Sequence, residues 1–143
     1  MRFFTAVVFL LGLSLVTVSA EPKPWRYPLS FEHEEVEVRL LNWELTRDKK
    51  NLLVHAKLRS LAKEPLYFDW KNLFRLKTGD GSTYSSNYDA LVDRNGSGFT
   101  RTVNEFQMAP RERVQIMIPF LLGDDEIPLK LILPDDHESV EIR

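Results

Sequence analysis

NLLVHAKLRSLAKEPLYFDWKNLFRLKTGDGST, residues 51–83, is written in a two-residue period. Leu52, Val54, Ala56 and Leu58 share one parity, and Leu53, His55, Lys57 and Arg59 share the other. A helix would need apolar residues at i, i+3, i+4 and i+7, which this row does not supply, so a half-buried strand is expected. Ala62-Lys63-Glu64-Pro65 reads as a turn, because Pro65 turns Glu64 away from helical backbone. Leu66, Phe68 and Trp70 then form a short strand or corner. Phe74 and Leu76 share a face on the next strand. Gly79 and Gly81 around Asp80 are expected to supply the positive φ angles of a tight hairpin turn.

The same period extends in both directions. Upstream, Val36, Val38 and Leu40 share one parity and Leu41, Trp43 and Leu45 the other. A switch of parity marks a bulge, so one long strand over 31–45, kinked near Leu40-Leu41, is expected. Arg47 to Asn51 is a polar turn. Downstream, the segment from Tyr84 to Gly98 is polar and reads as one long connection, the kind that tends to carry function. Phe99 to Met108 reads as a weaker strand with Phe106 and Met108 inward. Ala109 to Glu112 turns. Val114, Ile116, Ile118 and Phe120 alternate cleanly, and Pro119 places that strand at an edge or near its own end. Leu122 to Glu126 is an acidic turn. Leu129, Leu131 and Leu133 form the inward row of a last clear strand, and Val140 and Ile142 add a short one. Seven or eight short strands, turns every eight to twelve residues and no helix after residue 20 describe an all-β antiparallel sandwich, with a barrel as the competing architecture.

The 143 residues suit one domain, with a hydrophobic share of 43% and a charged share of 28%. Residues 1–20, MRFFTAVVFLLGLSLVTVSA, combine Arg2, an apolar run from Phe3 to Val16 and small residues at Val18-Ser19-Ala20. That is the pattern of a cleaved secretory signal peptide, and the run is short for a membrane span. Removing it leaves 18 basic and 21 acidic side chains, a formal charge of −3. Residues 21–30, EPKPWRYPLS, read as a proline-rich arm before a domain at 31–143. On that arm Trp25 and Tyr27 alternate. The chain has no cysteine. Disulfides, thiolate zinc sites and thiol catalysis are therefore excluded. Mild acidity without clustered basic residues argues against a nucleic-acid partner.

From Leu52–Leu58 through Phe74–Tyr84, Phe106–Pro110 and the strand ending at Phe120, the order of elements resembles a family of bacterial exported domains of unknown function. The family has an immunoglobulin-like sandwich. In it a strand leads to an Asp/Gly turn and a Tyr, and later to an apolar-Pro-Gly turn before the penultimate strand. This chain has Arg111 in the place of that Gly, and a longer segment over 87–98. The resemblance spans roughly Val36 to Leu133. It implies a secreted or periplasmic interaction domain and brings no catalytic residues with it.

Chemistry-bearing residues are sparse. None of the serines after residue 20 sits in a Gly-x-Ser-x-Gly elbow, so a serine hydrolase is not indicated. Neither Gly79-x-Gly81 nor Gly96-x-Gly98 opens a helix that could cradle phosphate. The histidines are scattered, and no metal or other cofactor is expected. A weak cation site joining the Asp124 and Asp135 turns is the one arrangement that oxygen ligands would allow. Arg94, Arg101, Arg111 and Arg113 form at most a local basic patch, and Asn95-Gly96-Ser97 matches a glycosylation acceptor. The expected function is a non-enzymatic binding or scaffold domain of the cell envelope. Its contacts are expected at Tyr84, Tyr88, Arg94 and Phe99, with an envelope protein or ligand as partner and no membrane insertion after signal cleavage. An envelope inhibitor or small-ligand carrier is the alternative.

Overall fold

The computed structural model describes residues 23–86, 89–102, 105–135 and 139–142. Residues 1–20, where a signal peptide is expected, and Tyr88 lie outside these residues. Twelve strands are found among them: β1 Lys23–His33, β2 Val36–Leu45, β3 Asn51–Ser60, β4 Leu66–Asp69, β5 Arg75–Thr78, β6 Thr83–Ser85, β7 Ala90–Asp93, β8 Thr100–Thr102, β9 Glu105–Met108, β10 Arg113–Leu121, β11 Pro128–Ile132 and β12 Val140–Glu141. They pair in a six-stranded sheet β1-β2-β3-β10-β7-β8, a four-stranded sheet β12-β11-β5-β6 and a two-stranded ribbon β4-β9. Every pairing is antiparallel. The fold is an all-β sandwich.

β3 and β10 run side by side over their full lengths, from Arg59↔Arg113 to Asn51↔Leu121. Their inward rows are the alternating residues of the sequence. Leu52, Val54, Ala56 and Leu58 meet Val114, Ile116, Ile118 and Phe120, and all eight are buried. Each strand has one wet and one dry face, which is why the two-residue period is so clean. The stretch 51–83 is not a strand pair, however. β3 belongs to the six-stranded sheet and β5 to the four-stranded one, so this stretch crosses the core. The crossing is made by Trp70, Leu73 and Phe74, which are almost wholly buried. Edge-to-face ring pairs link different sheets, Phe31 with Phe74 at 6.3 Å and Tyr84 with Phe120 at 6.5 Å between centroids, and Phe68 with Phe106 at 6.2 Å joins the two strands of the ribbon.

Several expectations are corrected. Residues 31–45 are not one strand. Glu34 and Glu35 take φ angles of 49° and 63° and close a hairpin that pairs His33 with Val36. Positive φ at both central residues is the type I′ condition, ordinarily met by Asn-Gly, so two glutamates give no turn signal. The arm is also a strand: the backbone pairs Lys23 with Trp43 and Pro24 with Asn42. As the outer strand of its sheet, β1 can hold prolines that a central strand could not, and they leave that edge short of donors. Trp25 and Tyr27 have no described side chains. The kink at Leu40-Leu41 is found as a bulge between Leu40 and Asn42.

Pro119 sits in β10, which is flanked by β3 and β7, but β7 pairs only as far as Met117. Pro119 still stands opposite Leu53 of β3, but beyond Met117 there is no β7 ladder on its other side to break. Leu129 is 41% exposed rather than inward, because a register shift between Pro128 and Lys130 turns it out of the row. Gly79 does not have positive φ; Gly81 does, at 91°. Arg111 has a φ of 63°, a left-handed conformation that glycine adopts most readily.

Left-handed backbone costs a non-glycine residue about 1–2 kcal/mol. Replacing Glu34-Glu35 by Asn-Gly should therefore raise stability by about 1 kcal/mol, after the greater unfolded-chain freedom of Gly is subtracted. Urea unfolding of the double variant checks this; an unchanged or lower midpoint would contradict the turn assignment.

Candidate functional site

The described residues of segment 84–98 include the end of β6 and all of β7, and these strands lie in different sheets. Neither strand was legible in the sequence. β6 is three residues long, and only Ala90 and Val92 mark the inward row of β7. The expected strand over 99–108 also divides, into β8 on the six-stranded sheet and β9 on the ribbon.

Tyr84 lies on β6, half-buried, with its ring against Phe120. Its hydroxyl donates to the Leu121 carbonyl at 2.9 Å, and Glu126 Oε1 lies 3.5 Å away. Burial pushes the phenol up, and the charge and hydrogen bonding of Glu126 and the charge of Asp80 push it further, to about 12. Because the folded-state value lies above the ordinary one of 10, Tyr84 stabilises the fold fully below pH 10. That stabilisation is lost as the pH rises through about 12. Titration of the tyrosinate absorbance should show one late component, absent from Tyr84→Phe. If all components titrate alike in both proteins, the hydroxyl is not held as described.

The neighbouring hairpin turn is locked by Asp80. Its Oδ1 accepts from the Thr78 hydroxyl at 2.7 Å and from the Ser82 amide at 2.9 Å. These bonds hold its carboxyl below the usual range, the Ser82 amide contributing most.

Arg94 follows β7, and its exposed side chain bonds to the fold's own turns. Nη1 donates to Glu112 Oε2 at 2.7 Å, and Nη2 to the Gln107 carbonyl at 2.8 Å. The guanidinium also lies over the Phe106 ring, 5.6 Å from its centroid. Glu112 in turn accepts from the Ala109 amide at 2.9 Å. Burial pushes the Glu112 carboxyl up, but the Ala109 amide and Arg94 outweigh it and hold the group low. After Arg94 the chain turns at Asp93–Gly96, where Asp93 Oδ1 accepts the amides of Asn95 and Gly96 at 3.2 and 2.7 Å. Gly96 and Gly98 take φ angles of 74° and 117°.

Two of the expected contacts, Tyr84 and Arg94, are thus bound within the fold. Phe99 is 41% exposed, and Tyr88 lies outside the described residues. Tyr67 is a large apolar surface residue that sequence reasoning missed. It is 66% exposed on the ribbon, opposite Gln107, and its alternation with buried Phe68 was the available signal.

The expected cation site is not found among the described residues, which include the Asp124 turn and Asp135. No group of three His, Asp or Glu side chains able to hold a metal occurs among the described residues. The Asp135 carboxylate bonds instead to His33 Nδ1 at 2.7 Å. Asp136, His137 and Glu138 lie outside the described residues. Of the suggested basic patch, Arg94 pairs with Glu112 and Arg101 with Asp89 at 3.1 Å.

The remaining concentration of chemistry lies on the outer face of the six-stranded sheet. Register places Arg39 opposite Lys57 and Arg59 opposite Arg113. Arg39, Lys57 and Arg113 are exposed, while Arg59 is half-buried. Further along the same face stand Asn42, His55, Met117 and Leu91, all partly exposed. His55 Nε2 lies 3.7 Å from Glu44 on the neighbouring strand, a cross-strand position rather than a metal ligand.

No helix among the described residues is long and apolar enough to cross a membrane. No family model matches the chain, and no curated protein matches it. Among solved structures, it is similar to an uncharacterized β-sandwich protein from Clostridium difficile 630. Identity is 15%, the TM-score is 0.55, and the match covers 87% of this chain and 95% of that one. At that identity the likeness shows a shared fold and nothing about activity: this chain is a β-sandwich.

Proposed function

We infer that the protein is a non-enzymatic binding domain exported to the bacterial cell envelope, and that it recognises its partner on the outer face of the six-stranded sheet. One observation carries the reading. Tyr84 and Arg94 make hydrogen bonds within the fold, whereas the sheet face gathers Arg39, Lys57 and Arg113, which make no ion pair among the described residues. Export is supported by the signal pattern of residues 1–20. A binding role is supported by the absence of any nucleophile–base pair in the sequence motifs. Function on such a scaffold belongs to the surface site and not to the fold.

The test is capture from envelope fractions with the mature chain, compared with Lys57→Glu/Arg113→Glu and with Phe99→Ser. The sheet-face variant should lose the captured component while Phe99→Ser keeps it. Identical capture by all three proteins would contradict the reading. So would recovery of the full-length chain in the cytoplasm with residues 1–20 attached.

A further inference from the structure

Strand pairing brings four cations together from three segments distant in sequence. Arg39 and Lys57 are direct cross-strand neighbours, and so are Arg59 and Arg113. Lys57 and Arg59 are two residues apart on β3 and point the same way. Like charges placed opposite one another destabilise a sheet, yet this face carries two such pairs side by side. One carboxylate lies inside the group. Glu37 is opposite Arg59, with Oε1 3.1 Å from its Nε. This is an ion pair without a well-formed hydrogen bond. Arg39, Lys57 and Arg113 make no ion pair among the described residues. None of the flanking acids is within ion-pair distance of Arg39, Lys57 or Arg113 among the described residues. Asp93 faces uncharged Gln115 and already accepts two backbone amides. Glu32 stands opposite Glu37 on the far side.

Geometry selects the ligand. Opposed side chains on neighbouring strands stand about 5 Å apart, and successive ones along a strand about 7 Å apart. The cations therefore form a grid on a nearly flat face. A small anion would meet one or two of them, whereas a chain of anionic groups would meet all four. Three are arginines, whose forked donors suit phosphate and carboxylate oxygens. The rest of the mature chain has an excess of acid, so the grid opposes the average charge and gives an anionic polymer one preferred landing place. We propose that this face binds a linear anionic polymer carrying phosphate or carboxylate groups at intervals of a few ångströms. The proposal rests on the binding-domain reading and names the ligand class of its site.

The experiment is equilibrium binding of the mature chain to fluorescently labelled polyphosphate and, separately, to a labelled polyuronate. Phospholipid vesicles with anionic headgroups form a third arm. One or both polymers should bind, and affinity should fall about twenty- to fiftyfold from roughly 50 to 200 mM salt, the dependence for three or four contacts to a flexible polyanion. Lys57→Glu/Arg113→Glu should weaken binding about tenfold or more. Lys49→Glu/Lys50→Glu, the same change of charge roughly 20 Å along the sheet, should stay within about twofold.

The face variant should unfold no earlier than wild type, because each change removes a like-charge pair. If it does unfold earlier, Lys57→Gln/Arg113→Gln takes its place with the same expected loss of binding. Binding to neither polymer would overturn the proposal. So would equal losses in both charge variants, affinity independent of salt, or binding to vesicles alone. Envelope capture that still depends on Lys57 and Arg113 while both polymers fail would reject the ligand class and leave the binding-domain reading standing.

Discussion

Trp70→Ala is expected to cost about 3–5 kcal/mol, which is much of what holds a domain of this size folded. Trp70 has no exposed surface, and Leu73 and Phe74 beside it are equally deep. Its carbonyl accepts the Leu73 amide at 3.0 Å, so side chain and backbone together form the corner between β4 and β5. That corner carries the chain from the ribbon to the four-stranded sheet. Truncation would leave a void that the strands on either side, fixed by their ladders, cannot close. The midpoint of thermal unfolding should fall by roughly 10–20 °C. A change of only a degree or two would mean that the corner is not packed as described.

Arg94→Ala is the second large effect, at about 2 kcal/mol. It removes two charge-assisted hydrogen bonds and a ring contact from a side chain still partly open to solvent, so screening limits the loss. Arg94→Lys should recover little. A single ammonium cannot reproduce the two diverging donors that reach Glu112 and Gln107. The effect also has a pH signature. Glu112 is held below the usual carboxylate range in the fold, so its stabilisation is present above the unfolded-chain value and is lost as pH falls through the folded one. The gap in stability between wild type and Arg94→Ala should therefore narrow as the solution is acidified, in denaturation series at several pH values. A gap of constant width would place the role of Arg94 elsewhere. A variant that binds its partner poorly yet unfolds like wild type would return Arg94 to the contact surface.

How much of this could be read from the chain alone depends on local geometry. β3 and β10 were legible because each lies against partners on both sides and keeps one dry face, so alternation survives along their length. The bulge near Leu41 was legible because a parity switch is its direct trace. The Glu34-Glu35 hairpin was not, since its positive φ angles fall on residues that carry no turn signal. β6, β7 and β8 are three or four residues long, too short for a period to establish itself, whereas the inward pair of β9, Phe106 and Met108, was legible and is buried. Leu129 misled because its register slips by one at the bulge. The internal bonds of Arg94 and Tyr84 were not legible, because Arg and Tyr serve equally well as contacts and as internal clamps, and composition cannot tell the two uses apart. The cationic face was hidden for a different reason. Arg39, Lys57, Arg59 and Arg113 become neighbours only through pairing, and no window along the sequence contains them all.

The central claim is that recognition lies on the sheet face and not in the segment from Tyr84 to Phe99. Backbone amide shifts of the isotope-labelled mature chain, followed while polyphosphate is added, test it most directly. The largest shifts should fall on β2, β3 and β10 around Arg39, Lys57, Arg59 and Arg113, with Asn95 to Phe99 unmoved. Shifts confined to Asn95–Phe99, with the sheet face silent, would contradict it.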